Sequence, residues 1–190
     1  MSSGGLGDTS DDALLSGLRS GREGYAEELA RRYWAAIQRF CAAYLGDADL
    51  AEDVTQETFV RLADGSDLPD GAVRPWLYKV ARNRCLDVLR RRQRSPTHNR
   101  PLRTHVDHAD STMGPQTRTA RQERREVIRA IIDQMPDEYR EVLILKFYEG
   151  LSREEIATAV GATEAAIKGR LVRASEYLQE QLRKITGSQA

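Results

Sequence analysis

The chain has 190 residues, 40% of them hydrophobic and 31% charged, and its 29 basic and 29 acidic side chains leave no formal net charge. This composition excludes a chain that is disordered throughout, and the length allows one medium domain or two small ones. No apolar run is long enough to cross a membrane, and the polar segment 1–10, which we expect to be disordered, has no signal-peptide core, so the sequence predicts a cytoplasmic protein without membrane insertion.

The first block of the chain, 11–94, has the periodicity of helices. Apolar side chains at helical spacing predict a helix over 25–45. Gly46 supplies its C-terminal stop, and Asp47 can serve as the N-cap of the next helix. A loop rich in Gly, Asp and Pro is predicted over 64–72.

A third helix of this block is predicted from Arg74 or Pro75 to about Arg92, because proline is tolerated in a first helical turn. The charge of this part of the chain is segregated. Eight carboxylates and one arginine lie within 47–70, whereas ten basic side chains and one aspartate lie within 74–103. Such segregation predicts two surfaces that meet two different partners.

The second block, 95–119, has no periodicity and is rich in Pro, Thr, His, Arg and Asp, so we expect a flexible linker. Its three histidines are His98, His105 and His108. A zinc site there has no accompanying cysteine, which favours solvated loop histidines and no metal. Cys41 and Cys85 lie far apart among apolar residues, and we expect both to be buried and reduced.

The third block, 120–187, is helical again. One apolar stripe ends at Pro136, and a further helix is predicted over 139–147, closed by Gly150.

A helix-turn-helix is predicted after Gly150. Ser152 and Glu155 have the spacing of a capping box, Gly161 begins a tight turn, and Thr163 can cap the last helix. The predicted fold is therefore all-α, with two small helical domains joined by a flexible linker, the C-terminal domain being the helix-turn-helix.

The last helix has a basic side. With Ile167 and Leu171 facing inward, Lys168, Arg170 and Arg173 remain at or near the solvent. Such a helix can enter the major groove of DNA, where arginine can contact guanine edges and lysine can contact phosphates. The alternative is a solvated basic face on an ordinary helix.

The helix over 74–92 carries a second candidate surface. Asn83, Asp87, Arg90 and Arg91 share one face, with Lys79 beside it. Amide, carboxylate and guanidinium groups together can contact base edges as well as phosphates. The alternative is that Asp87 only pairs with Arg90 or Arg91 on the surface.

The acidic helix places Asp53, Gln56 and Glu57 together, with Phe59 nearby. Acid/base chemistry or a metal is disfavoured, because no histidine is near in sequence and no ligand spacing is present. We expect a protein-binding face.

These residues resemble a known family. The run from Asp53 to Leu62 resembles the core-polymerase-binding helix of sigma factors, and the run from Arg74 to Arg91 resembles their strand-opening helix. The run from Met135 to Leu182 resembles their C-terminal helix-turn-helix. With both domains in this order and no domain between them, the chain is similar to the extracytoplasmic-function (ECF) group of the sigma-70 family.

The resemblance implies a division into region 2 (11–94) and region 4 (120–187), with RNA polymerase core and promoter DNA as partners and no cofactor. The implied core-polymerase contacts are Asp53, Gln56, Glu57 and Phe59. The implied −10 contacts are Trp76, Lys79, Asn83, Asp87, Arg90 and Arg91. The implied −35 contacts are Lys168, Arg170 and Arg173. The loop 64–72 would help to capture a flipped base, and an alternative for Trp76 is simply packing the domain.

Two other classes of function are alternatives. A stand-alone helix-turn-helix regulator would bind duplex DNA as a dimer and would leave the acidic helix unexplained. A nuclease would need a nucleophile and base arrangement that the sequence lacks, so we expect no enzyme. By analogy with the family, an inhibitory anti-sigma partner is a further expectation.

Overall fold

A computed structural model describes residues 6–65, 67–94, 127–128 and 130–187. The helices with defined bounds are α1 (Asp11–Arg19), α2 (Tyr25–Leu45), α3 (Ala48–Asp64), α4 (Val73–Arg94), α5 (Asp137–Leu143) with a following π-helical turn (Ile144–Tyr148), α6 (Arg153–Val160) and α7 (Glu164–Gly187). Residues 127–128 and 130–133 are also helical. The described ranges hold no β-strand, which confirms the all-α prediction. The predicted linker, 95–119, lies outside the described residues. Of the segment predicted to be disordered, 6–8 form a 3-10 turn.

Local chemistry sets the helix ends in the N-terminal unit, which we define as α1 to α4. Gly46 ends α2 with a φ of 62°, a left-handed conformation that favours glycine. The Asp47 side chain then accepts a hydrogen bond from the backbone N of Leu50 at 3.2 Å and caps α3. Both features were predicted. The helix α4 begins at Val73 and ends at Arg94, close to the predicted bounds.

The core of the N-terminal unit lies between α2, α3 and α4. Phe40, Leu62 and Leu77 are fully buried there, and the ring of Phe40 packs edge-on against Tyr78 at 5.3 Å. The helix α1 packs against α2 where Gly17 meets Tyr25, because a Cβ at Gly17 would lie 2.2 Å from that ring. Close approach of the two helices therefore depends on glycine at this position.

An ionic network ties the start of the chain to α2. Arg32 donates to Asp11 at 2.8 Å and to Glu28 at 2.8 Å, and it also donates to the carbonyls of Leu6 and Gly7. Hydrogen bonds from Arg31 and then from Arg32 lower the pKa of Glu28 to about 2. Each arginine thus favours the ionised carboxylate.

The C-terminal unit, which we define as α5 to α7, contains the predicted helix-turn-helix. Ser152 accepts from the backbone N of Glu155 at 3.1 Å, while the Glu155 carboxylate accepts from the backbone N of Ser152 at 2.7 Å. The capping box is therefore confirmed. Gly161 has a φ of 71°, and Thr163 caps α7 by accepting from the backbone N of Ala166.

The helix predicted over 139–147 differs from the observed structure at its C-terminal end. Residues Ile144–Tyr148 form a π-helical turn, which changes the angular spacing of side chains. Leu145 is fully buried in this segment and Phe147 is 70% exposed. The turn itself leaves no signal in the 3.6-residue periodicity.

The two units pack against each other through α4 and α6. The apolar core of the N-terminal unit continues into Leu145, Leu151 and Ile156. A separate small cluster is formed by Leu143 and Ala174 of the C-terminal unit with Met135, which lies just before α5. The C-terminal unit therefore buries much of its apolar surface against its neighbour.

Candidate polymerase and nucleic-acid interfaces

The outer face of α4 carries the predicted −10 contacts. Lys79, Asn83, Arg90 and Arg91 are exposed, and Asp87 is half-buried. Because residues four apart lie one above the other on a helix, Lys79, Asn83 and Asp87 form a column of cationic, amide and carboxylate groups. This column can meet both phosphates and base edges.

The surface ion pair between Asp87 and Arg90, given above as the alternative, is present with a nitrogen-to-oxygen distance of 3.6 Å. Both side chains remain largely in solvent, so the pair contributes little to stability. The pairing therefore leaves both groups available to a ligand.

A cleft of about 700 Å³ opens beside this face. One wall is the predicted loop, including Asp67 and Asp70. The lining residues from α4 include Trp76, Lys79 and Asn83, and those from α6 are Glu154, Glu155 and Thr158. Trp76 is only 8% exposed, so its ring is both part of the core and part of the cleft lining. Trp76 therefore packs the domain, as the alternative for this residue stated.

The acidic face of α3 carries three of the four predicted polymerase contacts. Asp53, Gln56 and Glu57 are exposed. Glu57 accepts a hydrogen bond from Arg84 of α4 at 2.6 Å, which ties this face to the next helix. The carboxylates are thus presented on a helix whose opposite side is packed in the core.

Phe59 is the exception among these four residues. Its ring is 7% exposed and stacks on Trp34, with ring centroids 5.2 Å apart. It follows Thr55 by one helical turn on the buried side of α3, so it packs the domain instead of lining the surface. Val60, which the sequence reasoning missed, is 68% exposed and lies one turn after Gln56. Val60 follows Gln56 by four residues, and this helical spacing could have placed it on the same exposed face.

The basic side of α7 carries the predicted −35 contacts. Lys168 and Arg173 are exposed, while Arg170 is half-buried and lies 3.6 Å from the Glu138 carboxylate of α5. Beside them, Gly169 faces open space, since a Cβ there would meet nothing within 4 Å. The three cationic side chains extend over more than one turn of the helix.

Metal-ligating side chains do not cluster in the part of the chain that the structure describes. The linker histidines His98, His105 and His108 lie outside it. Cys41 and Cys85 are both buried free thiols, as predicted. A hydrogen bond with Cys41, together with burial, raises the pKa of the Cys85 thiol and keeps it protonated.

Two family models match the chain. The model of Sigma-70 region 2 matches residues 29–95, and the model of Sigma-70, region 4 matches residues 125–178. The first match covers the acidic face of α3 and the outer face of α4. The second covers the helix-turn-helix.

Similar proteins agree with these matches. The chain is 31% identical to the ECF RNA polymerase sigma factor SigM of Bacillus subtilis (strain 168), covering 80% of this chain and 92% of that protein. It is 30% identical to the ECF RNA polymerase sigma factor SigL of Mycobacterium tuberculosis (strain ATCC 25618 / H37Rv), covering 91% of this chain and 97% of that protein. A solved structure of CnrH in complex with the cytosolic domain of CnrY matches with a TM-score of 0.65 and 25% identity, covering 92% of this chain and 97% of that chain.

The two family matches, together with the relatives, define the class of the protein as a transcription initiation factor of the sigma type. The chain belongs to the ECF group of the sigma-70 family. As a sigma factor it directs transcription. Within the described ranges, no helix combines the length and the apolar character that a membrane span requires.

Proposed function

We propose that this sigma factor binds RNA polymerase core through the exposed acidic face of α3, the −10 element through α4 and the −35 element through α7. The observation that carries the proposal is the column of Lys79, Asn83 and Asp87 beside the cleft, on the same unit as the acidic face. One unit can then hold polymerase and DNA at a fixed separation. Linking it to a second DNA-binding unit raises overall affinity through effective concentration.

The acidic face favours this proposal over a stand-alone regulator. A regulator that binds duplex DNA has no use for exposed carboxylates on a helix next to its DNA-binding face, because they repel phosphates. Polymerase docking gives the exposed side chains of Asp53, Gln56 and Glu57 a role. Light scattering separates the two functions, because a regulator of this kind forms a symmetric dimer.

The direct test is run-off transcription with purified protein, core polymerase that lacks any sigma subunit, and fragmented genomic DNA from the source organism. We expect discrete transcripts only when the protein is added. No transcripts and no binding to core would contradict the proposal and favour the stand-alone regulator.

Point variants test which helix face binds polymerase core and which one binds DNA. Glu57→Lys should weaken binding to core by about tenfold, which corresponds to ~1.4 kcal/mol. Glu23→Lys is the matched control, because it reverses one charge at an exposed position outside α3. Asn83→Ala should leave core binding unchanged and reduce initiation. Equal core affinity of the Glu57 and Glu23 variants would contradict the assigned polymerase face.

An inhibitory partner is a second element of the proposal. The matching structure of the sigma factor RpoE from Bartonella quintana is a complex with the anti-sigma factor NepR, at 22% identity and a TM-score of 0.64. We infer that this chain also has an anti-sigma partner. Affinity purification from native cells should recover a stoichiometric inhibitor, and recovery of polymerase alone across growth conditions would contradict this part of the proposal.

A further inference from the structure

The segment between α3 and α4 forms one wall of the cleft described above. Its residues 67–72, which we call the cleft loop, have no regular helix or strand. Asp67, Pro69 and Asp70 of this loop line the cleft together with Lys79 of α4. A segment without the backbone hydrogen bonds of a helix or strand has low local stability. The shape of this wall therefore depends on contacts that fix the loop from outside.

Neighbouring elements supply such contacts to the cleft loop. Leu68 packs against the buried core of the N-terminal unit. Asp67 forms an ion pair with Arg61 of α3. The guanidinium of Arg19, the last residue of α1, donates a hydrogen bond to the backbone carbonyl of Pro69. A hydrogen bond from a charged donor is stronger than a neutral one, so this contact can hold the backbone of an exposed loop.

The helix α1 is a firm support for Arg19. Leu14 and Leu15 of this helix are buried in the core, and Gly17 allows α1 to approach the ring of Tyr25 closely. The match to the model of Sigma-70 region 2 begins at residue 29, so α1 lies before the part of the chain that matches. The cleft loop is thus held partly by a helix that the family match does not include.

Arg19 can influence a bound DNA strand only through the cleft loop. The side chain of Arg19 is exposed, and among the described residues that line the cleft, Pro69 is present and Arg19 is not. Its hydrogen bond ends on a backbone carbonyl, so it fixes where the loop backbone lies. The position of that backbone sets the width of the cleft, and the shape of a pocket determines which unstacked base it accepts.

We propose that Arg19 is a positioning residue for promoter selectivity, which holds the cleft loop at the width that accepts the preferred base of a displaced −10 strand. This inference rests on the proposed binding of the −10 element at α4. A loop that is ordered before binding loses less conformational entropy when the strand binds. Without Arg19 the loop can adapt to other bases, so base preference falls while binding to polymerase core is unchanged.

The first measurement concerns the order of the cleft loop in the free protein. Backbone ¹⁵N relaxation should give order parameters of about 0.85 for Leu68 and Asp70 in wild type, falling toward about 0.6 in Arg19→Ala. Arg22→Ala is the matched control, because it removes an exposed guanidinium nearby that donates to Tyr25 and not to the loop. Arg19→Lys keeps a cationic donor and should restore most of the order. Unchanged loop order in a folded Arg19→Ala protein would overturn the proposal.

The second measurement is base preference in run-off transcription with core polymerase. The template is a promoter that the wild-type protein uses in genomic DNA, with each base of its −10 element replaced in turn. Arg19→Ala should reduce the preference for the original base by about fivefold at one or two adjacent positions. Its affinity for core should stay at the wild-type value, because the acidic face of α3 is not altered. Arg22→Ala should keep the wild-type preference, and Arg19→Lys should recover most of it.

The combined outcomes separate a structural role from a role in selectivity. Loss of loop order together with loss of base preference in Arg19→Ala supports the proposal. Loss of loop order with wild-type base preference overturns it. An equal loss of preference in Arg19→Ala and Arg22→Ala also overturns it, because general attraction between cations and phosphates would then explain the effect. Absence of transcripts from the wild-type protein is a different result, which contradicts the proposed function itself and this inference with it.

Discussion

The N-terminal and C-terminal units are both helical, but they are held together differently. The N-terminal unit has a large core of its own, with Phe40, Leu62 and Leu77 fully buried. Among the residues that the structure describes, the C-terminal unit has the small cluster of Leu143 and Ala174 with Met135, apart from the core it shares with its neighbour. Small domains bury a smaller share of their surface. The C-terminal unit therefore depends more on helix caps and on docking than the N-terminal unit does.

The largest expected effect concerns the N-terminal core. Phe40→Ala should lower the free energy of unfolding by about 3–5 kcal/mol, because it leaves a cavity among fully buried neighbours. Urea denaturation followed by circular dichroism measures the change. A loss below about 1 kcal/mol would mean that the core collapses around the cavity and that the contrast between the units is weaker than described.

The capping box tests the dependence of the C-terminal unit on local interactions. Ser152→Ala should destabilise this unit by about 1 kcal/mol, because the backbone N of Glu155 loses its acceptor. Hydrogen exchange of the α6 amides measures the effect. Faster exchange should appear in α6 and not in α2, and an equal acceleration in both would show that the units unfold together.

A gain of stability is expected at Gly169. Gly169→Ala should stabilise α7 by about 0.8–1 kcal/mol, because alanine has the higher helix propensity and its Cβ meets no neighbour. Thermal unfolding of the full chain measures the gain. Gly17→Ala is the contrasting control, because a Cβ there collides with Tyr25 and should lower the melting temperature.

The smallest effect is expected at the ionic network of Glu28, Arg31 and Arg32 in the N-terminal unit. The pKa of Glu28 is lowered from its usual 4.5 to about 2, so its contribution is present above pH 4.5 and is lost as the pH falls toward 2. At neutral pH the wild-type protein should therefore have a larger free energy of unfolding than Glu28→Gln, as measured by urea denaturation. This difference should shrink as the pH falls from 4.5 toward 2. A difference that is independent of pH would contradict the ionic origin of the contribution.

Features that depend on neighbouring residues in sequence were predicted well. The stop at Gly46, the cap at Asp47 and the capping box of Ser152 and Glu155 each involve groups within three or four residues. The family resemblance also predicted the division into two helical domains. These are short-range or pattern-based properties, and a single sequence contains them.

Features that depend on distant partners were not predicted. Nothing in the spacing of Glu141 shows that it meets Arg82 and Tyr44 in a buried contact between units. The π-helical turn at Ile144–Tyr148 was not predicted either. Phe59 was placed in the polymerase face by resemblance, although Thr55, Phe59 and Leu62 have the spacing of a buried stripe on α3.

The contact between Arg82 and Glu141 also has a consequence during synthesis of the chain. The two residues are 59 positions apart, and the N-terminal partner leaves the ribosome first. At ~5–20 residues per second, the second partner follows about 3–12 s later. A nascent N-terminal unit with its own core can fold in that interval while the docking side of α4 is still uncovered. Each newly made molecule therefore passes through a brief period in which the α4 cleft has no acidic wall from α6.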